Sequence, residues 1–246
     1  MRANVIVFEI STYVLFIAMY LGAARALGRV RNRDFLLGSG AFALVIYTVS
    51  VVGGVNNFYW YSTNSYYKHY PLGGYIIWVG VVPLAALLLF YVVSMASYLV
   101  ASTFSNNVWK RSAIAGGIAV VFYLMIQPVA VTNHWWVWNA KTFYLLDVPL
   151  LAWIGVFLAV FAFTATYQLT VIEKADPAWL KPLEDRIKRL GRLKSKKATI
   201  NLEHDKLAWV YAWRLVIALV AFGIAMIPVM LVLWAIANRG PIPPGW

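Results

Sequence analysis

The chain has 246 residues, 62% hydrophobic and only 12% charged, with a mean hydropathy of +0.71, a balance that excludes an ordinary soluble globular domain. The absence of cysteine excludes disulfides, thiolate metal sites and a cysteine nucleophile. A net charge of +12 would suit nucleic acid in a soluble protein, but here the basic residues gather between apolar runs as topology requires, so no nucleic-acid partner is expected.

Six apolar segments are long enough to cross a bilayer: 4–25, 35–55, 74–100, 111–131, 148–172 and 207–237. The first follows a single Arg2 and shows no small-residue cleavage site after a short apolar core, so it reads as a retained helix and not a signal peptide. The runs are continuous and lack alternation, which favours helices over barrel strands. The expected fold class is therefore all-α: a polytopic membrane protein of six transmembrane helices forming one transmembrane domain over residues 1–246.

Counting Lys and Arg in the connections sets the expected orientation. Arg25, Arg29, Arg31 and Arg33 follow the first segment, Lys110 and Arg111 follow the third, and ten Lys or Arg follow the fifth. The opposite side has Arg2, Lys68, Lys141 and Arg239. Both termini are thus expected outside a cell membrane, with the basic loops in the cytoplasm, and Arg214 is placed to snorkel towards that side. In the basic loop 173–206, Leu183, Ile187, Leu190 and Leu193 follow helical spacing. That pattern fits an interfacial helix on anionic lipid headgroups and equally a solvated basic linker; membrane lipid is an expected partner in either case.

The outer loops, 56–73 and 132–147, carry two aromatic clusters. Placing Pro83 over Pro149 aligns VVPLAALLLFYVV with DVPLLAWIGVFLAV at an offset of 66, and upstream NNFYWY corresponds to NHWWVW. Any single aromatic fits an interfacial belt, but the repeated order is harder to explain that way. Helices 2–3 and 4–5 accordingly read as tandem copies of one hairpin. Pro149 suits a helix start, whereas Pro83 falls about two turns inside the third segment and is expected to kink it.

This order of features resembles the membrane-embedded carotenoid enzymes, the heterodimeric-type lycopene cyclases and the related carotenoid hydratases. Trp138, Asn139, Tyr144, Val148 and Pro149 match one copy of their motif, and Trp60, Gly80, Val82 and Pro83 the other, over roughly residues 40–172. In the cyclases the proline precedes paired carboxylates in a Pro-x-Glu-Glu pattern. Here the residues are Pro83-Leu84-Ala85-Ala86 and Pro149-Leu150-Leu151-Ala152, without an acid in either copy.

Cyclising or hydrating a polyene end begins by protonating a carbon–carbon double bond, which requires a protonated carboxylic acid in an apolar site. Two carboxylates could substitute: Glu9, at membrane depth in the first helix, and Asp147, which also suits the N-cap of the fifth. By the resemblance, Trp60, Trp136, Trp138 and Tyr144 would contact a polyene end, with Asn139 orienting a polar group. The histidines, His69, His134 and His204, are not paired across transmembrane segments as a bis-His haem requires, and helix 6 has no lysine for a retinal Schiff base. No nucleotide fingerprint is present, and neither a metal nor a cofactor is expected. Two readings remain: a protein that binds or modifies a long apolar isoprenoid such as a carotenoid, catalytic or not, and a non-catalytic accessory subunit held by other membrane subunits.

Overall fold

A computed structural model of the chain describes residues 3–52, 59–61, 74–133, 135–138, 143–173 and 202–237. Six helices in it are long and apolar enough to span a membrane. They are α1 (Ala3–Leu27), α2 (Arg29–Val52), α3 (Leu84–Phe104), α4 (Val108–Thr132), α5 (Leu150–Tyr167) and α6 (Leu202–Ala237). The architecture is all-α and polytopic. The proposed interfacial helix around Leu183–Leu193 lies outside the described residues.

Helix ends follow local chemistry. The first basic connection is not an open loop, because α1 and α2 are separated by Gly28 alone, at φ +86, where glycine has no Cβ to clash. Arg29, Arg31 and Arg33 therefore lie in α2. Asn32, fully buried, ties the turn by donating to the Tyr20 carbonyl at 2.9 Å and accepting from the Tyr91 hydroxyl at 2.6 Å. Asn107 caps α4, its side chain accepting from the Lys110 N–H at 3.1 Å. Helix α5 ends in a π-helical turn, Gln168–Ile172, whose Thr170 hydroxyl accepts from Arg214 at 3.2 Å. Arg214 is thus anchored within the bundle. At 36 residues α6 measures about 54 Å, longer than a bilayer core needs.

The third helix departs from the expectation. Residues 74–83 are not helical: Trp78–Val79 (β2) pairs antiparallel with Val82–Pro83 (β3), and α3 begins only at Leu84 with Pro83 as its N-cap. Pro83 therefore does not kink α3. Its fixed φ, here −62, and missing N–H suit a helix entrance, and the β-branched valines around Gly80 suit a hairpin. The entrance to α5 has the same form: Tyr144–Leu145 (β5) pairs with Val148–Pro149 (β6), and Pro149 is the N-cap. In each joint the residue after the proline donates back across the hairpin, Leu84 N to Ile77 O at 2.9 Å and Leu150 N to Phe143 O at 2.8 Å.

A third pairing joins the two aromatic clusters. Tyr59–Tyr61 (β1) runs antiparallel to Trp136–Trp138 (β4), with Trp60 opposite Val137. Helices pack where small residues admit neighbours, as expected when lipid is as apolar as the side chains. A Cβ at Gly116 would meet the Phe157 ring and carbonyl at 2.9 Å, and one at Gly38 would collide with the Tyr211 phenol. The centre is aromatic: Phe35, Phe42, Phe90, Tyr91, Phe163 and Tyr167 interlock, mostly edge-to-face.

Candidate functional site

Beneath β4 lies a partly open cavity of about 130 Å³, lined by α2, α3, α4, α5 and α6. Its wall is mainly apolar: Ile46, Ala86, Leu89, Phe90, Leu151, Ala152, Val156, Ala159, Phe222 and Met226, with Gly155 leaving room where a side chain would stand. Trp136 and Trp138 close the end under the strand pair. They share one face of β4 because side chains alternate along a strand, which brings the two tryptophans onto the same ligand space.

Four polar side chains line the cavity: Tyr47, Ser50, Tyr123 and Gln127. The Tyr47 and Tyr123 hydroxyls lie 3.3 Å apart, and the Ser50 hydroxyl donates to the Ile46 carbonyl at 2.7 Å. Gln127, 4% exposed, accepts from the Trp136 indole N–H at 2.9 Å through Oε1. Among the described residues, no Asp, Glu, His, Lys or Arg lines the cavity. The site can hold an apolar group and hydrogen-bond a neutral one, and its described lining offers no carboxyl proton.

The sequence candidates separate in space. Trp136 and Trp138 meet at the cavity. Tyr144 sits in β5 and is not among the lining residues. Trp60 lies in β1 opposite Val137, and Asn139 lies outside the described residues. Asp147 is exposed, in the turn between β5 and β6 at φ 57. It is not the α5 cap, because the chain makes a hairpin turn two residues before the helix and leaves that position to Pro149.

Glu9 is fully buried and stands away from the cavity lining. Its carboxylate accepts three hydrogen bonds, from the Tyr13 hydroxyl at 2.8 Å and from the backbone N–H groups of Ile76 at 2.8 Å and Ile77 at 3.3 Å. Every donor aims at the carboxylate. It thereby pins the segment entering β2 to α1 and satisfies backbone groups that would otherwise be orphaned. Around it, Phe8 stacks on Trp135 at 4.2 Å and the Tyr75 hydroxyl donates to the Trp135 carbonyl at 3.1 Å. Burial first, and the Glu9 charge second, push the Tyr75 phenol well above its ordinary pKa, so it remains a donor.

Sequence reasoning missed Tyr47, Tyr123 and Gln127. For Gln127 a signal existed: it is a carboxamide inside an apolar span, beside the helix-interior Pro128, and a polar residue at that depth needs a partner or a ligand. The tyrosines gave no comparable signal, since the chain has 15 of them.

Fold and cavity together define a multi-pass helical membrane protein with a ligand-sized space among its helices. The family models, curated proteins and solved structures compared with the chain contain no match.

Proposed function

We propose that this protein binds the end of a long apolar isoprenoid, such as a carotenoid, in the cavity beneath Trp136 and Trp138. The cavity itself carries the proposal. A space of roughly 150 Å³ with apolar walls holds a benzene-sized ring, so this partly open space of about 130 Å³ admits the tip of such an end group while the rest of the ligand extends beyond it. The tryptophan faces would pack against a conjugated end group. Kinship to the carotenoid cyclases and hydratases belongs to the same proposal, supported by the like geometry of the joints entering α3 and α5 and by the pairing of the two aromatic clusters. So does the orientation with both termini outside, which rests on the distribution of basic residues. Binding is favoured over proton-initiated catalysis because no acid lines the cavity among the described residues.

The test is to purify the protein from a carotenoid-producing host, extract it with organic solvent and record the visible absorbance of the extract. Co-purifying pigment is expected for wild type and its loss for Gly155→Leu, which fills the cavity. Equal pigment in both, or none in wild type, contradicts the proposal.

A further inference from the structure

The hydrogen bond from Trp136 to the Gln127 side chain defines the rest of that side chain. An indole N–H can only donate, so the atom it meets at 2.9 Å is the amide oxygen, and Nε2 is fixed as the opposite end of the carboxamide. Nε2 carries two N–H donors and makes no hydrogen bond among the described residues, although Gln127 is 4% exposed and lines the cavity. An amide donor without an acceptor in an otherwise apolar wall gains a hydrogen bond when a ligand supplies an oxygen. Trp136, itself a wall of the cavity, holds the carboxamide in place, so the donor is pre-organised.

We infer that Gln127 is the specificity-determining residue of the cavity, selecting a ligand whose end group carries a neutral hydrogen-bond acceptor, a hydroxyl or keto oxygen, over the bare hydrocarbon. This rests on the reading of the cavity as an isoprenoid end-group site. An anionic acceptor is disfavoured, because among the described residues no cationic side chain lines the cavity to balance it. The apolar walls hold the carbon skeleton, and the amide reads the oxygen.

The experiment measures retention of three pigments on immobilised protein in detergent: β-carotene, its hydroxylated counterpart zeaxanthin and its diketo counterpart canthaxanthin. Wild type is expected to hold both oxygenated pigments about fivefold to tenfold more tightly than β-carotene, the range of one neutral hydrogen bond. The keto pigment can accept but not donate, so its preference identifies Gln127 as the donor. In Gln127→Met the preference should vanish, the retention of each oxygenated pigment relative to β-carotene falling to about onefold. Equal retention of all three by wild type, or a preference that survives Gln127→Met, overturns the inference. If that variant does not fold, preference for zeaxanthin without preference for canthaxanthin in wild type overturns it instead. Gly155→Leu separates the two levels: the cavity reading stands if this variant loses all three pigments and falls if wild type holds none, taking the inference with it.

Discussion

The joint entering α3 and the joint entering α5 are built on one backbone plan and supported in different ways. Each is a two-residue hairpin turn, a valine and a proline, then a helix. The first places glycine at the left-handed position, Gly80 at φ +62, and is tethered by Glu9 through the N–H groups of Ile76 and Ile77. The second places Leu146 and Asp147 at φ 54 and 57, and Phe143 meets no such carboxylate among the described residues. A left-handed conformation costs a residue with a Cβ about 1–2 kcal/mol, so the second turn stores strain that the first avoids. The same strand pairing and helix entrance can be reached through two turn conformations, a relaxed one with a long-range anchor and a strained one that the paired strands hold in place.

The comparison can be broken in order of expected effect. Glu9→Ala removes the acceptor for two backbone donors and the Tyr13 hydroxyl, and should lower stability by about 3 kcal/mol in detergent unfolding. Glu9→Gln keeps an acceptor oxygen and should lose less, and a loss for Glu9→Ala under about 0.5 kcal/mol would remove the anchor from the account. Gly80→Val forces a β-branched residue to positive φ and should cost about 2 kcal/mol by the same measurement. Leu146→Gly should move the other way, raising stability by about 1 kcal/mol as the strain is released. A decrease for Leu146→Gly would mean that the leucine side chain holds its turn and that the two joints differ less than their torsions imply. Asp147→Asn should leave stability within about 0.5 kcal/mol and co-purified pigment unchanged, since Asn also tolerates the left-handed region. Lost pigment in that variant would give the exposed turn a part in binding.

Much of the fold was legible because membrane spans leave long uninterrupted apolar runs, and five of the six helices lie within several residues of where the sequence puts them. The largest displacement is at the third, where residues 74–83 have the composition of a helix but form a hairpin. Apolar runs of valine and isoleucine around Gly80 serve either state, and only the pairing with a partner strand decides. Arg29–Val52 extends further towards α1 than hydropathy implied, since charged residues can be helical and only Gly28 breaks the chain. The site was half legible. Trp136 and Trp138 stand out by type and spacing, but Gln127 acquires meaning only through the orientation fixed by Trp136. Glu9 was noticed as an acid at membrane depth, while its partners, Ile76 and Ile77, lie more than 60 positions away as backbone groups that sequence pattern cannot mark.

The most direct test of the cavity as a ligand site is a side-by-side titration of immobilised wild type and Gly155→Leu with zeaxanthin, reading retained pigment by absorbance. Saturable binding by wild type, weakened about tenfold or more by Gly155→Leu, is the expected result. Superimposable curves for two equally well-folded proteins would place any bound pigment elsewhere and contradict the assignment of the cavity.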